Sequence, residues 1–435
     1  MSERADATRA TGRAPHIPRE RRTIAGLVGQ LGPGLITGAA DDDPSGIATY
    51  SQGGAQAGMG LLWTLALTYP LMSAVQLISA HIGRVTGHGL AANMRRLFPE
   101  QIVMGLVGLL FIANTINIGA DLAAMGSAAT LVTGLPPHRL TLGFALVSLL
   151  LQMFVPYHRY AHFLKWLTLV LFAYVALLFT VRIDWRAVGI GLLLPRLGGK
   201  GDMLAIVAIF GTTISPYLFF WQSAQEVEEI ADHAGAKPLR RDRGDGSTEL
   251  RRMRFDTWIG MALSNLIALA IMVGTAATLH AAGKTDIETT ADAAMALRPI
   301  AGRFAFLLFS LGIIGTGMLA VPVLAGSTAY AVAGLRGWRS SLGCKPRDAK
   351  GFYAIIASAT LFGILIDWLP IDPVKALFWS AVLNGLVAVP LLVAMMLIVS
   401  SDHIMGRFKA GRGLLALGWA CTLVMGCAAF GFLVG

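Results

Sequence analysis

Charged residues and cysteines are both scarce in this chain of 435 residues, and each shortage excludes a class of protein. Asp, Glu, Lys and Arg make up 14% of the sequence, hydrophobic residues make up 55%, and the mean hydropathy is +0.64. Because soluble domains carry roughly 25% charged residues, an ordinary soluble protein is excluded. The three cysteines, Cys344, Cys421 and Cys427, have no metal-ligand spacing and imply no disulfide framework.

Signals for catalysis and for nucleic-acid binding are also missing. The sequence has no nucleophile–base constellation and no phosphate-cradling glycine loop, which argues against an enzyme. A net charge of +10 would suggest nucleic acid for a soluble chain, but here the basic residues follow a membrane pattern. We expect no cofactor, no nucleic-acid partner and no obligate protein partner.

Long apolar runs predict eleven membrane-spanning helices, each near the length that crosses a bilayer. The predicted spans are 31–52, 59–83, 101–133, 139–156, 162–182, 203–228, 256–281, 302–334, 352–369, 374–399 and 414–433. We therefore expect an all-α, multi-pass protein embedded in the lipid bilayer of the cell inner (plasma) membrane. A basic tail, 1–28, lacks the apolar core of a signal peptide and precedes a single transmembrane domain, 29–435.

The basic residues predict the orientation of these spans. With a cytoplasmic N-terminus, the cytoplasmic segments hold 26 of the 35 Lys and Arg residues. Since cytoplasmic loops are rich in Lys and Arg, this orientation is favoured, and it places the C-terminus outside. The longest polar stretch, 229–255, links spans 6 and 7. We interpret it as a flexible loop that sets topology, in preference to a lipid or regulatory site.

Two interruptions break otherwise apolar spans at matching places in the two halves of the chain. The first reads AADDDPSG at 39–46, and the second reads GTTISPY at 211–217. Pro44 and Pro216 each remove a backbone donor and disfavour helix at the preceding residue. Unwound backbone in a protein-lined cavity exposes carbonyl oxygens to a cation. Paired interruptions of this kind indicate a transporter's binding site near the membrane midplane.

Carboxylates mark the first interruption. Asp43 lies directly at the break and is the first-choice cation ligand, because a carboxylate within a membrane is costly and seldom present without function. Since apolar residues flank the motif, we favour this role over aspartates that only cap a helix outside the membrane. Asp41 and Asp42 are further candidates, and one of them is expected to face the vestibule and attract cations. Gly46 lowers the cost of irregular backbone.

Neutral oxygens mark the second interruption. Thr212 and Ser215 are predicted ligands through their hydroxyls and the loosened backbone carbonyls. For Thr213 we favour the commoner role of Ser and Thr in membrane helices, which is bonding to freed backbone groups. The predicted metal-ligand set is Asp43, Gly46, Thr212 and Ser215.

Span 3 and span 10 carry other polar candidates for supporting the site or lining the pathway. Asn114, Asn117 and Asp121 fall on one helix face, which favours a polar seam between helices over a permeation path. In span 10, the candidates are Ser380 and Asn384. For Asn384, a role as a cation ligand and a role in packing against a neighbouring helix are equally favoured.

For the glutamates and histidines near span ends, we favour roles other than metal binding. For Glu226, Glu228 and Glu229 a solvated helix end is favoured over an inner vestibule for departing cations. Four histidines without metal-ligand spacing are interpreted as interfacial. They are His81, His158, His162 and His280.

Several motifs follow one another in a fixed order along nearly the whole chain. They are Gly32-Pro33-Gly34-Leu35, Asp43-Pro44-Ser45-Gly46, GGAQAG at 53–58, Leu62-Trp63, QLISAHIGRVTG at 76–87 and Asp121-Leu122-Ala123. In this order they resemble the NRAMP family of divalent-metal transporters. The resemblance implies the leucine-transporter fold with discontinuous helices 1 and 6 and alternating access. It also implies two inverted five-helix repeats, about 29–200 and 201–400, and an extra helix at about 413–433.

Departures from the family pattern change the expected metal. Gly46 stands where the family has the Asn of DPGN, and Ser215-Pro216-Tyr217 stands where it has Met-Pro-His. Thr212 replaces an alanine. In the family, the soft methionine sulfur helps to select Mn²⁺ and Fe²⁺ over hard alkaline-earth ions, and its loss removes that selection. Because Mg²⁺ retains water, a roomier oxygen site suits it, and the pattern is similar to the NRAMP-related magnesium transporters.

Proton coupling is expected to be weak or absent. The family's two sixth-helix histidines align with Tyr217 and Gln222, which do not titrate near neutral pH. The third-helix glutamate is missing after Asp121, whose carboxylate we expect to pair with an arginine or to bond with Asn117. Two charges entering an inside-negative cell gain roughly 4–5 kcal/mol per 100 mV, which is enough to drive accumulation.

Other functions stay open beside transport of Mg²⁺ with Mn²⁺ also accepted. A proton-coupled Mn²⁺/Fe²⁺ importer would keep the family's usual activity. A Na⁺-coupled symporter of a small organic solute is disfavoured, because Asp43 would repel a substrate carboxylate. A metal sensor is disfavoured since the sequence predicts no signalling domain.

Overall fold

The computed structural model describes residues 37, 38, 40–155, 169–196, 200–232, 236–241 and 246–434. They belong to one compact unit, 32–435, and the regular structure among them is helical throughout. The helices are α1 Pro44–Ala57, α2 Trp63–Thr86, α3 Leu90–Met94, α4 Glu100–Thr133, α5 Pro137–Phe154, α6 Phe172–Leu177, α7 Trp185–Leu193, α8 Lys200–Thr213, α9 Pro216–Asp232, α10 Ser247–Thr278, α11 Thr290–Met295, α12 Arg298–Ala301, α13 Ala305–Arg336, α14 Lys350–Ile364, α15 Pro373–Ser400, α16 Asp402–Met405 and α17 Arg412–Val434.

Nine helical segments within these ranges are long and apolar enough to cross a membrane. They correspond to nine of the eleven predicted spans, and the all-α, multi-pass architecture is confirmed. The other two predicted spans, 31–52 and 162–182, fall partly outside the described residues.

The first predicted interruption separates α1 from the helical residues just before it. Residues 40 and 41 are helical, the helix is broken at 42 and 43, and α1 begins at Pro44. Asp43 has extended backbone with ψ 170° and caps α1, since its side chain accepts from the Gly46 amide. Proline suits this first helical position because no backbone donor is needed there.

The second predicted interruption separates α8 from α9. Residues 214 and 215 are not helical, and α9 begins at Pro216. Just before the break, Gly211 lies against α15, where an added Cβ would fall 2.0 Å from the Ala381 carbonyl oxygen. Only glycine permits this approach, so α8 is held directly against α15.

Both breaks lie in the packed centre of the bundle. α4 packs along α13 and α15, α9 along α2, and α10 along α1. Tyr50, Tyr217 and Trp221 are among the largest fully buried side chains. Large apolar side chains on α5 and α17, such as Phe154 and Phe430, are instead exposed, as expected of a surface that faces lipid.

The prediction of a flexible loop at 229–255 is wrong for the part of it that the structure describes. α9 continues to Asp232, and α10 already begins at Ser247. Between them, the amides of Leu239 and Arg240 donate to the carbonyls of Arg84 and Val85, at 3.2 and 3.1 Å. Two helices therefore extend into this polar stretch, and the described part of the connection is bonded to the end of α2.

Candidate functional site

Asp43 is held at the first break by donors from α1 and α4, with a hydroxyl of α9 beside it. Its Oδ1 accepts from the Ser45 hydroxyl at 2.6 Å and from the Gly46 amide at 2.7 Å. Its Oδ2 accepts from Asn117 Nδ2 of α4 at 3.2 Å and lies 3.5 Å from the Tyr217 hydroxyl of α9. With 1% of its surface exposed, this carboxylate is fixed in orientation inside the bundle.

Tyr217 connects the two breaks. Its hydroxyl donates to the Ala40 carbonyl at 3.0 Å, just before the first break. Tyr217 itself lies in the first turn of α9, at the second break. The carbonyl freed by the interruption thus has a partner across the site. This position therefore supplies a hydroxyl.

Thr212 and Ser215 behave differently at the second break. Thr212 Oγ1 lies 3.4 Å from Ser45 Oγ, so it faces the first break. The Ser215 hydroxyl instead turns back to α8, 3.0 Å from the Gly211 carbonyl and 2.7 Å from that of Thr212. A Cβ on Gly46 would lie 3.4 Å from Thr212 Oγ1, which shows how closely the two breaks approach.

Thr213 has the local role predicted for it. Its hydroxyl donates to the Ile209 carbonyl at 2.6 Å, and the Tyr50 hydroxyl lies 3.0 Å away. This pattern satisfies a backbone carbonyl of α8. Thr213 therefore does not join Asp43.

The polar residues of span 3, which is α4 in the structure, have two different roles. Asn117 donates to Asp43 and accepts from the Ser380 hydroxyl of α15 at 2.7 Å, so it positions the carboxylate. Asn114 donates to Ser327 at 3.1 Å and to Thr328 at 2.8 Å, both in α13. The predicted polar seam is therefore present at Asn114, whereas Asn117 belongs to the site.

Asp121 lacks the partners expected for it. Among the described residues, neither carboxylate oxygen has a hydrogen-bond partner, and no arginine forms an ion pair with it. The expected bond to Asn117 is wrong, because that amide is occupied by Asp43 and Ser380. Asp121 is nevertheless fully buried.

The vestibule position expected for Asp41 or Asp42 is also wrong. Both side chains are buried, and the Ser264 hydroxyl of α10 lies 2.7 Å from Asp41 Oδ2 and 3.0 Å from Asp42 Oδ1. The cause is close packing, since a Cβ on Gly38 would fall 2.4 Å from the Gly260 carbonyl oxygen. Ser264 was not foreseen, because nothing near it in the sequence marks it.

Two amides near the breaks keep unpaired atoms. Gln222 accepts from the Thr37 hydroxyl, but its Nε2 has no partner in the described part of the chain. Neither side-chain polar atom of Asn384 has one there either, and Asn384 is fully buried. Polar capacity therefore remains on α9 and α15 for other groups.

The solvated helix end expected for the glutamates of α9 is wrong. Glu226 is 3% exposed. Glu228 accepts from the Tyr330 hydroxyl and from the Leu342 amide, and Glu229 pairs with Arg252. Neighbouring segments therefore bury Glu226 fully and Glu228 and Glu229 partly, whereas the last residues of α9 are exposed.

Histidines and cysteines contribute nothing to a metal centre in the described residues. No group of three or more His, Cys, Asp and Glu side chains there has the arrangement of a metal site. His81 is buried rather than interfacial, 2.6 Å from the Phe408 carbonyl, and His280 lies 2.8 Å from that of Ala55. His158 and His162 lie outside the described residues. One carboxylate with neutral oxygens is a donor set for a hard cation.

A cavity of about 880 Å³ opens where α1 ends, and its lining includes Gln56, Arg196, Asp202 and His280. Gln56 is 13 residues from Asp43, which corresponds to about 20 Å along a helix. Asp43, Thr212 and Ser215 are all buried. The cavity therefore stops short of the breaks.

Comparison with known proteins identifies a matching family and similar transporters. A family model described as natural resistance-associated macrophage protein-like (Nramp) matches residues 34–435. A divalent metal cation transporter, MntH, of Deinococcus radiodurans is 27% identical over 96% of this chain and 91% of its own. MntH of Yersinia pestis is 29% identical over 67% of this chain and 69% of its own.

Solved structures share the fold. A mutant of the manganese transporter of Eremococcus coleocola has a TM-score of 0.76 and 18% identity, covering 95% of this chain and 87% of its own. Mhp1, a nucleobase-cation-symport-1 family transporter, has a TM-score of 0.55 and 13% identity over 92% of each chain. These likenesses, with the two interrupted helices, confirm the leucine-transporter fold.

Proposed function

We infer that Mg²⁺ is the principal substrate of this chain, which belongs to the NRAMP family of divalent-metal transporters, and that Mn²⁺ is also accepted. The observation that carries this proposal is the chemistry around Asp43. The side chains around it are the hydroxyls of Ser45 and Tyr217 and the amide of Asn117. Those groups include no sulfur and no imidazole, so they give Mn²⁺ little advantage.

The geometry of the breaks supports a partly hydrated ion. Asp43 supplies the charge, and the Thr212 hydroxyl lies on the facing break. Ser215 offers oxygen lone pairs while its proton is used within α8. Mg²⁺ dehydrates reluctantly and is commonly held by one or two carboxylates and several waters, which fits such a set.

Acceptance of Mn²⁺ has separate support. The relatives are divalent metal cation transporters, and one structural neighbour is a manganese transporter. Mn²⁺ also takes carboxylate, carbonyl and water ligands. Competition between the two ions at one site follows from this proposal.

Weak or absent proton coupling completes the proposal. Tyr217 and Gln222 hold the positions where the family pattern has histidines. Both bond to the helical residues before the first break, Tyr217 to the Ala40 carbonyl and Gln222 to the Thr37 hydroxyl. Neither side chain exchanges a proton near neutral pH. Transport would then be driven by the metal gradient and the potential of the plasma membrane, with a cytoplasmic N-terminus and an external C-terminus.

Liposomes that contain the purified protein test the substrate. With an inside-negative potential and a trapped Mg²⁺ indicator, we expect saturable Mg²⁺ uptake that Mn²⁺ inhibits. The Asp43→Ala variant should abolish uptake, while Asp348→Ala, at an exposed position, should preserve it. Absence of Mg²⁺ flux, or equal flux in the Asp43 variant, would refute the proposal.

A trapped pH indicator tests the coupling in the same liposomes. We expect no acidification of the lumen during Mg²⁺ or Mn²⁺ uptake. Acidification during Mn²⁺ uptake would establish the alternative, a proton-coupled importer. Dependence of uptake on Na⁺ would instead revive a Na⁺-coupled symporter.

A further inference from the structure

Three arginines meet at the end of α2, far from the breaks. Arg240 and Arg241 belong to the segment 236–241, and Arg96 follows α3. All three side chains are exposed. Positive charges of one sign repel one another, so a cluster of this kind attracts an anion.

The segment is positioned by its backbone. The amides of Leu239 and Arg240 bond to the carbonyls of Arg84 and Val85. Pro238 packs on Gly87, where φ is +67° and an added Cβ would fall 2.4 Å from Pro238 Cγ. A side chain at position 87 would be strained and would displace Pro238. Glycine therefore permits the docking that brings Arg240 and Arg241 to this place.

Arg96 is oriented from the same end of α2. His88 Nδ1 lies 2.8 Å from the Thr86 carbonyl, so its Nε2 is free to accept, and Arg96 Nη2 lies 3.0 Å from that atom. Partial burial, and next the charges of Arg240 and Arg241, lower the pKa of Arg96. The guanidinium still remains charged at neutral pH, since its ordinary pKa lies far above neutral.

No carboxylate among the described residues forms an ion pair with any of the three arginines. The carboxylates paired nearby serve other cations: Glu249 pairs with Arg84 and Arg252, Glu229 with Arg252 and Asp402 with Lys409. Within the described residues, the Arg240 side chain donates to the Ile404 carbonyl at 3.0 Å. The cluster thus keeps most of its planar donor groups, which suit phosphate oxygens.

The surroundings favour a lipid as the source of the phosphate. Three candidate membrane spans, which contain α2, α4 and α10, end or begin at this level. Directly after Arg96 come exposed apolar side chains, Leu97 at 38%, Ile102 at 51% and Met104 at 52%. A headgroup at the arginines would leave acyl chains beside these residues.

We propose that Arg96, Arg240 and Arg241 form a binding site for the phosphate headgroup of an anionic phospholipid at the end of α2. Each basic residue near an anionic membrane surface contributes about 1 kcal/mol. Removing two of them should therefore weaken binding roughly 30-fold. A phospholipid with a zwitterionic headgroup should bind at least that much more weakly.

Lipid titration of the full chain in detergent tests the site. Native mass spectrometry would count retained phosphatidylglycerol against phosphatidylcholine, and thermal unfolding would report stabilisation. We expect Arg240→Gln with Arg241→Gln to lose most phosphatidylglycerol binding, and Arg240→Lys with Arg241→Lys to keep part of it. The matched control is Arg339→Gln with Arg347→Gln, two exposed arginines between α13 and α14.

The outcomes separate the possibilities. Unchanged binding in the Arg240 and Arg241 variant, or an equal loss in the control, would overturn the site. Binding of pyrophosphate at micromolar concentration, with no preference for phosphatidylglycerol, would assign the cluster to a soluble phosphate and overturn the lipid. If the glutamine variant melts early without lipid, the lysine variant decides, because it keeps the charge and loses only the planar donors.

Discussion

The two helix breaks differ in where their side chains form hydrogen bonds. Asp43, at the first, receives donors from α1 and α4 and lies beside a hydroxyl of α9. At the second break, the hydroxyls of Ser215 and Thr213 donate hydrogen bonds to carbonyls of α8. The first break therefore holds a charge that the whole bundle orients, and the second offers neutral oxygens. We expect cation binding to depend on the first and selectivity on the second.

The largest effect should follow from Asp43→Asn, which keeps the shape and removes the charge. Leaving a buried cation without its charged partner costs about 2–4 kcal/mol, which is roughly 30- to 1000-fold in affinity. Uptake of Mg²⁺ and Mn²⁺ into liposomes should fall together. Asp348→Asn serves as the exposed control. Substantial flux in the Asp43 variant would mean that the charge at the first break is not required.

The next effect should come from Asn117→Ala, which removes a donor to the carboxylate. A hydrogen bond to a charged group contributes about 1.5–3 kcal/mol, so the concentration of Mg²⁺ for half-maximal uptake should rise tenfold or more. Uptake at saturating Mg²⁺ should persist, since Asp43 remains. Measured binding to the purified protein would check this directly.

Asn114→Ala is a matched control on the same face of α4. It breaks bonds to Ser327 and Thr328 of α13 without touching Asp43. Hydrogen bonds between membrane helices contribute about 0.6 kcal/mol on average. This variant should melt slightly earlier and bind Mg²⁺ normally. Equal loss of affinity in both variants would show that Asn117 acts through helix packing and not on the carboxylate.

A smaller and more selective effect is expected from Ser215→Met. A thioether at the second break adds a soft ligand that Mn²⁺ accepts more readily than Mg²⁺. The ratio of Mn²⁺ to Mg²⁺ uptake should rise about tenfold, which corresponds to about 1.4 kcal/mol. Uptake from mixtures of the two ions measures it. Ser215→Leu has similar bulk without sulfur, and the same change in that variant would attribute selectivity to size.

Local features of the site could be predicted from sequence, and long-range ones could not. Pro44 and Pro216 act on adjacent backbone, so both breaks follow from sequence. The cost of a carboxylate in a membrane likewise singles out Asp43. Ser264 and Ser380 bond to the site from helices more than 200 residues away, and their positions depend on packing. Glu226 was misplaced for the same reason, because only neighbouring helices bury it.

A small effect should come from Tyr217→Phe, which removes a hydroxyl that crosses from the second break to the first. The lost bond to the Ala40 carbonyl is neutral and contributes about 1 kcal/mol, so Mg²⁺ affinity should fall only about fivefold. Thr213→Val, which loses a bond within α8, should change affinity less still. Mg²⁺ binding by the two purified variants measures both. If Tyr217→Phe were as severe as Asp43→Asn, the second break would share in holding the charge, and the division between a charged break and a neutral one would fail.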